Sequence, residues 1–297
     1  MAAPFAGPEA VTSFHECLKK SSRVMCLVGA GLSSASGLPT FRGAGGLWRT
    51  HDAVSLASPA AFAKDPALVW RFYSYRRHMA LQALPNAAHY ALAELARRMP
   101  GFITLSQNVD GLSQRAGHPR DNLQLLHGTL FEVKCTDPGC GYAAENFVDP
   151  ITPALDIPTP RNPESAMQDI SDATVPLPDI PPEGLPHCPR CTESLLRPNV
   201  VWFGEQLPVA VLDRLDEYLN ESDHIDLIMV IGTGAKVYPA AGYIDHARYR
   251  SAKVCVVNMD PNDVPPGGWK KGDWFFQGDA AQLVPELLRP IIGNLPS

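Results

Sequence analysis

Long apolar runs are missing from this 297-residue chain: the longest, counting glycine, covers residues 24–32, nine positions. A bilayer span needs roughly 20, so no membrane-crossing helix is expected. Charge is also scarce, at 19% of residues, with a formal balance of −6 and no long Lys/Arg run. A surface built to coat nucleic acid would need the opposite balance, so no direct nucleic-acid binding is expected. The N-terminus lacks a basic segment followed by an apolar one, so it does not read as a secretory signal, nor is it Arg-rich like a transit peptide. The expected compartment is mitochondrial or cytoplasmic, with a nuclear placement left open. Apolar residues at 45% are enough for a sizeable core.

Short apolar runs stand at residues 24–28, 102–105, 225–231 and 254–257, the first ended by Gly29-Ala30-Gly31. Runs of that length stopped by glycine read as buried parallel strands. Helical patterns lie between them, at 59–81, 86–98, 209–219 and 239–250. Strands alternating with helices predict an α/β fold, a Rossmann-like open parallel sheet with helices on both faces. Residues 150–186 break the rhythm with ten prolines in 37 positions. Proline removes donors and restricts the residue before it, so a loop-rich insertion is expected there.

Gly29-Ala30-Gly31-Leu32-Ser33-Ser34 follows the first strand directly. Glycines there let backbone approach a pyrophosphate, and the next helix offers unpaired N–H groups. Ser34 replaces the third glycine of the dinucleotide fingerprint, and no acidic residue ends a second strand soon after, which argues against an ordinary dehydrogenase. Gly232-Thr233-Gly234 and Gly278-Asp279-Ala280 are further turns at strand ends, where open α/β sheets bind ligands. Asn258 and Asp260, beyond the run 254–257, are candidates for ribose contacts; a plain turn into Pro261 is the alternative.

Disulfides are not expected of the seven cysteines. Cys135/Cys140 and Cys188/Cys191 form two short-spaced pairs, a donor set for one structural zinc, with 47 residues between the pairs. That loop is tolerable because closure entropy grows slowly with length. Cys26 and Cys255 lie in apolar runs and read as buried small hydrophobes, and Cys17 as a packed helix position.

Taken together, residues 29–43, Gln107-Asn108-Val109-Asp110, His127-Gly128, the cysteine pairs, Val200-Val201-Trp202-Phe203-Gly204-Glu205, Gly232-Thr233-Gly234 and Asn258-Met259-Asp260 resemble, in order, the signatures of the sirtuins, NAD-dependent protein-lysine deacylases. The resemblance covers about residues 20–285. It departs at Gly234, where the family commonly has Ser, and in the long proline-rich insert. Tyr73-Ser74-Tyr75-Arg76, together with Ala57 at a position bulky in other sirtuins, resembles class III, the desuccinylase, demalonylase and deglutarylase branch. From composition alone Arg76 and Arg77 would be a solvated helix face.

The resemblance implies that NAD is consumed, with release of nicotinamide and 2′-O-acyl-ADP-ribose, and that one zinc is held by the four cysteines. It implies His127 as general base on the ribose hydroxyls. Asn108 and Asp110 would hold nicotinamide and its ribose, and Gln107 the ribose side. Phe41 would shield the reactive face, with Arg42 steadying loop or phosphate. Gly29, Ala30, Gly31, Ser33, Ser34, Thr40, Trp48, Gly232, Thr233, Gly234, Asn258, Met259, Asp260 and Ala280 complete the cofactor set. Ala57, Tyr73 and Arg76 would hold the acyl group. Val201, Trp202, Phe203, Gly204 and Glu205 match a strand that pairs with the substrate backbone. The expected partners are acyl-lysine proteins, and the chain is expected to be monomeric. The expected domains are a discontinuous NAD-binding unit, 1–131 and 201–297, and a zinc-binding module, 132–200. A plain lysine deacetylase and a mono-ADP-ribosyltransferase are the enzymatic alternatives, and a zinc-ribbon adaptor is the non-enzymatic one.

Overall fold

The computed structural model describes residues 7–40, 47–157 and 170–295. Chain order runs through helix α1 (Pro8–Lys20), strands β1 (Val24–Val28), β2 (Leu47–Trp48) and β3 (His51–Asp52), and helices α2 (Ala53–Leu56), α3 (Pro59–Lys64), α4 (Pro66–Gln82) and α5 (Ala87–Arg98). Then come β4 (Phe102–Ser106), α6 (Leu112–Arg115), β5 (Leu123–Leu125), β6 (Gly128–Cys135), β7 (Ala143–Glu145) and β8 (Leu196–Val200). The chain ends with α7 (Val209–Asn220), β9 (Leu227–Ile231), α8 (Gly242–Tyr249), β10 (Lys253–Asn258), β11 (Trp274–Gln277) and α9 (Ala280–Ile292).

Six strands form one parallel sheet in the order β11-β10-β9-β1-β4-β5. Because alternate strand residues point to opposite faces, β1 sends Val24, Cys26 and Val28 to a core shared with α1, α5 and α9. Met25 and Leu27 go to the other face, under α7 and α8. Helices cover both faces, which is why the strands read as unbroken apolar runs. Burial pushes the Cys26 and Cys255 thiols well up, as suits inert core cysteines. Cys17 packs against the first core from α1.

The expected helix over 59–81 is two helices. Asp65 caps the second, accepting from the Leu68 N–H at 2.9 Å, and Pro66 starts it. Asn86 caps α5 in a capping box with His89.

Cys135 ends β6 of the three-stranded sheet β7-β6-β8, and Cys140, Cys188 and Cys191 lie in the connecting segments before β7 and β8. Its core draws in α3 and α4, with Phe62, Trp70, Phe72 and Tyr73 packed beside Leu196 and Cys188. The proline-rich insertion contributes too: Leu155, Ile157, Ile170 and Leu185 are buried there. Arg49 holds part of it, donating to the carbonyls of Ile170, Asp172, Ala173 and Val175 at 2.8–3.0 Å. Arg77 is 0% exposed, against the expectation of a solvated face. Its guanidinium donates to the carbonyls of Leu130, Asn146 and Val148 and ties α4 to β6.

Strand order reverses at β1, whose sequence successor β4 lies on one side and β9 on the other. The loops leaving β1 and β9 touch there: the Gly31 N–H donates to the Gly232 carbonyl at 2.8 Å. A Cβ on Gly31 would lie 2.6 Å from the Gly232 Cα, and Gly232 itself has φ +62°. These glycines are therefore required by each other's backbone, before any ligand is considered. Gly31→Ala is expected to cost about 1–3 kcal/mol by overpacking, read as a Tm lowered by several degrees. An unchanged Tm would show that the loops separate freely.

Candidate active site

At that reversal, over the C-terminal ends of β1, β4, β9 and β10, a cavity of about 750 Å³ opens toward the three-stranded sheet. Its wall contains every cofactor and substrate position named above except four. Trp48 is buried against Phe72, and Ala280 starts α9 in the core, so neither is part of the wall. Phe41 and Arg42 lie outside the described residues. Leu38, Ala53, Tyr75, Met79, Leu130 and Lys236 also line the cavity, and the sequence reading missed them. Leu38 and Tyr75 lie inside the signatures at residues 29–43 and 73–76 without an assigned role; Ala53, Met79, Leu130 and Lys236 carry no motif, and the folding of α2 and α4 against β6 brings in the first three of these. The volume and the place at the strand reversal suit a dinucleotide.

Ser33, in the turn after β1, is a hub. Its hydroxyl donates to Asp110 Oδ2 at 2.7 Å and accepts from Asn108 Nδ2 at 3.2 Å. His89, 1% exposed, lies 3.3 Å away through Nε2. The Asn86 N–H donates to His89 Nδ1, so Nε2 carries the proton and donates to Ser33. Burial holds the His89 imidazole down at about 4, so it is neutral. Its only legible signal was its place three residues after the cap Asn86. Asn108 Nδ2 also donates to the Gly29 carbonyl at 3.0 Å, which leaves its amide oxygen as an acceptor for a ligand. Asp110 Oδ1 accepts from the Leu112 N–H.

Gln107 Nε2 bridges the Val28 carbonyl and the Thr233 hydroxyl at 3.3 and 3.1 Å. Asn258 Nδ2 donates to the Thr233 carbonyl and to Asp263 Oδ2 at 3.2 and 2.7 Å. Both amides therefore fasten the strand-end loops to one another. Asp260 accepts from the backbone and side chain of Asn262.

His127 stands where the chain leaves the large sheet for β6. Its Nδ1 lies 3.1 Å from the Gln107 carbonyl, an acceptor only, so Nδ1 carries the proton and Nε2 keeps its lone pair. Burial lowers its pKa from 6.5, and the bond to Gln107 offsets part of that. The imidazole is thus a neutral base at pH 7. The chain crosses back at Val200-Val201, and the Val201 N–H donates to the His127 carbonyl at 2.9 Å. Gly128 has φ +73°, and a Cβ there would meet the Asn199 oxygen at 2.1 Å, which is why glycine follows the histidine.

Residues 201–205 differ from the expected strand. Strand β8 ends at Val200, and a turn follows. The Phe203 N–H donates to the Ala57 carbonyl, the Glu205 N–H to the Trp202 carbonyl, and the Trp202 N–H to Glu205 Oε2. With Val201 bound to His127, these amides are engaged inside the protein and do not pair with a substrate in this conformation. Glu205 is held by Arg197 through both oxygens at 2.5 and 2.9 Å. Burial pushes its carboxyl up, but the bonds from Arg197 and the Trp202 amide outweigh that and leave it below its ordinary value.

Ala57, Tyr73 and Arg76 share the cavity wall. The Arg76 guanidinium carbon lies 5.4 and 5.7 Å from the Phe72 and Tyr73 ring centroids. Desolvation lowers the Arg76 pKa, while Tyr73 and Asp110 act against that.

The four sulfurs of Cys135, Cys140, Cys188 and Cys191 lie within 4.8 Å of one another. Two of the separations, Cys135 to Cys191 and Cys140 to Cys188, are 3.7 Å. Zinc–sulfur bonds of about 2.3 Å set tetrahedrally give edges of about 3.8 Å, so the donor set fits zinc. Four thiolates leave no open position, so an ion held there would be structural.

Metal analysis of the purified protein is expected to give about one zinc per chain, and Cys188→Ala to lose metal and soluble protein together. A stable, active, metal-free protein would reject this site. For His127, a base whose pKa is depressed below 6.5 works when unprotonated. Turnover is therefore expected to be flat around pH 7 and to fall as pH drops through a midpoint below 6.5. His127→Tyr is expected to abolish turnover and leave NAD binding largely intact. An acid limb centred above pH 7, or a working His127→Tyr variant, would point to another base.

The Sir2 family profile matches residues 29–239. An NAD-dependent protein deacylase of Candida albicans is 44% identical over 300 residues, covering 95% of this chain and 98% of that one. The mitochondrial NAD-dependent protein deacylase sirtuin-5 of Canis lupus familiaris is 39% identical, with 94% of this chain and 85% of that one covered. Among solved structures, a complex of a Sir2 homolog with NAD superposes with a TM-score of 0.74 at 35% identity, over 98% of this chain and 96% of that one. The profile, the relatives and the superposition agree with one another, and the chain belongs to the Sir2 family.

Proposed function

We infer that this protein is an NAD-dependent protein deacylase that acts on lysines carrying short, negatively charged acyl groups: succinyl, malonyl or glutaryl. The deacylase activity follows from family membership and from relatives that bear that name. The acyl preference rests on one observation, that Arg76 and Tyr73 line the same cavity as His127. Sirtuin-5 relatives are mitochondrial, and we propose the same compartment here. The acidic balance of −6 supports protein rather than nucleic acid as the partner.

NAD supplies the leaving group and the ribose that accepts the acyl group. Asn108, fixed by Gly29 and Ser33 through its amide nitrogen, presents its carbonyl oxygen to an amide N–H donor. His127 takes a proton at Nε2, and the Gln107 carbonyl stabilises the cation that results. An acyl carboxylate entering the cavity loses water, which is costly unless charged donors replace it. The fork of Arg76 and the hydroxyl of Tyr73, one helical turn apart on α4, supply those donors.

Arg76→Met is expected to lower kcat/KM for succinyl-lysine by roughly 30-fold or more, the loss of about 2–5 kcal/mol from a desolvated charge pair. Acetyl-lysine carries no carboxylate and is expected to change far less or to improve. A ratio of desuccinylation to deacetylation that Arg76→Met leaves unmoved would overturn the acyl preference.

A further inference from the structure

The acyl end of the cavity holds a hydrogen bond whose direction matters. The Trp202 indole N–H donates to the Tyr73 hydroxyl oxygen at 2.9 Å, with both side chains buried. A phenolic oxygen has one proton and accepts best in the ring plane. Once the indole takes one in-plane position, the hydroxyl proton is turned to the other. We propose that Trp202 is a positioning residue for acyl selectivity: its indole N–H fixes the Tyr73 hydroxyl as a donor toward the acyl carboxylate beside Arg76. This rests on the acyl preference inferred above.

The indole is itself held in place. The Arg197 guanidinium stacks over its ring at 3.3 Å from the centroid, and Phe62 packs at 5.4 Å. Arg197 is locked in turn by Glu205 and by the Val200 carbonyl at 2.9 Å. Glu205 also accepts from the Trp202 backbone N–H, so one carboxylate anchors both the stacking cation and the stacked residue. Burial raises the Tyr73 pKa, keeping the hydroxyl protonated and able to donate. An indole bonding only for packing would need none of this alignment. Here the chain Glu205–Arg197–Trp202–Tyr73 ends on a side chain in the cavity wall.

The test is a double-mutant cycle read on one peptide carrying succinyl- or acetyl-lysine. Trp202→Phe keeps an aromatic ring and removes the N–H. The ratio of desuccinylation to deacetylation, as kcat/KM, is expected to fall about 3- to 10-fold, the loss of one neutral hydrogen bond's alignment. The fall is expected mainly in KM for the succinyl peptide. In a Tyr73→Phe background the same substitution is expected to leave the ratio unmoved, because the hydroxyl it aligns is gone. Should Trp202→Phe fold poorly, 3-benzothienylalanine at position 202 preserves the indole shape without the N–H. A ratio unchanged by losing the N–H, or a fall of the same size without the Tyr73 hydroxyl, would overturn the proposal. A wild-type protein with no preference for succinyl over acetyl would instead overturn the acyl reading beneath it.

Discussion

Backbone contact between the loops that leave β1 and β9 sets the positions of everything else in the site. With β1 at the centre of the sheet, the chain departs to β4 on one side and later returns to β9 on the other. The two outgoing loops must meet where the order reverses. They do so with the Gly31 N–H on the Gly232 carbonyl and with Cα atoms too close for a side chain on either. Ser33 follows two residues later and is aimed by that contact. Gln107 and Asn258 then fasten the ends of β4 and β10 to Thr233, next to Gly232. The rim of the cavity is a set of loops whose polar side chains largely bind one another, which makes it pre-formed rather than assembled by a ligand.

Charge is managed in the same economical way. Asp110 is a carboxylate at the cavity, and its neighbours Ser33, Asn108 and His89 form a neutral network around it. Burial keeps His89 neutral, so the hub orients Asp110 without cancelling its charge. His127 is lowered by burial and held by a single carbonyl, so it gains a proton with an acceptor already in place.

Much of this was legible from the sequence, and the reasons divide cleanly. The parallel strands were plain because burial on both faces makes them continuous apolar runs ended by glycine. The cysteine pairs were plain because metal geometry demands short spacings. What stayed hidden depends on long-range packing. Arg77 looked like a partner of Arg76 on a wet helix face, yet β6 and the segment after β7 close over it. Residues 201–205 were expected as a strand from the resemblance alone, but Glu205 reaches back to Arg197 and Trp202 and bends them into a turn. The insertion looked like loop alone, since nothing local shows that Arg49 or the core around Trp70 would receive it.

Three buried or half-buried arginines near α4 show how environment separates residues that composition treats alike. Arg77 donates through its two terminal nitrogens to the carbonyls of Leu130, Asn146 and Val148, and so laces α4 to the small sheet. Arg197 is matched by the Glu205 carboxylate and spends its planar face on Trp202. Arg76 lies over two aromatic rings in the cavity wall, where desolvation is the largest influence on it. The same side-chain type thus serves three ends, set by what the fold places around each guanidinium: backbone carbonyls at Arg77, a carboxylate and an indole face at Arg197, and aromatic faces in a cavity wall at Arg76.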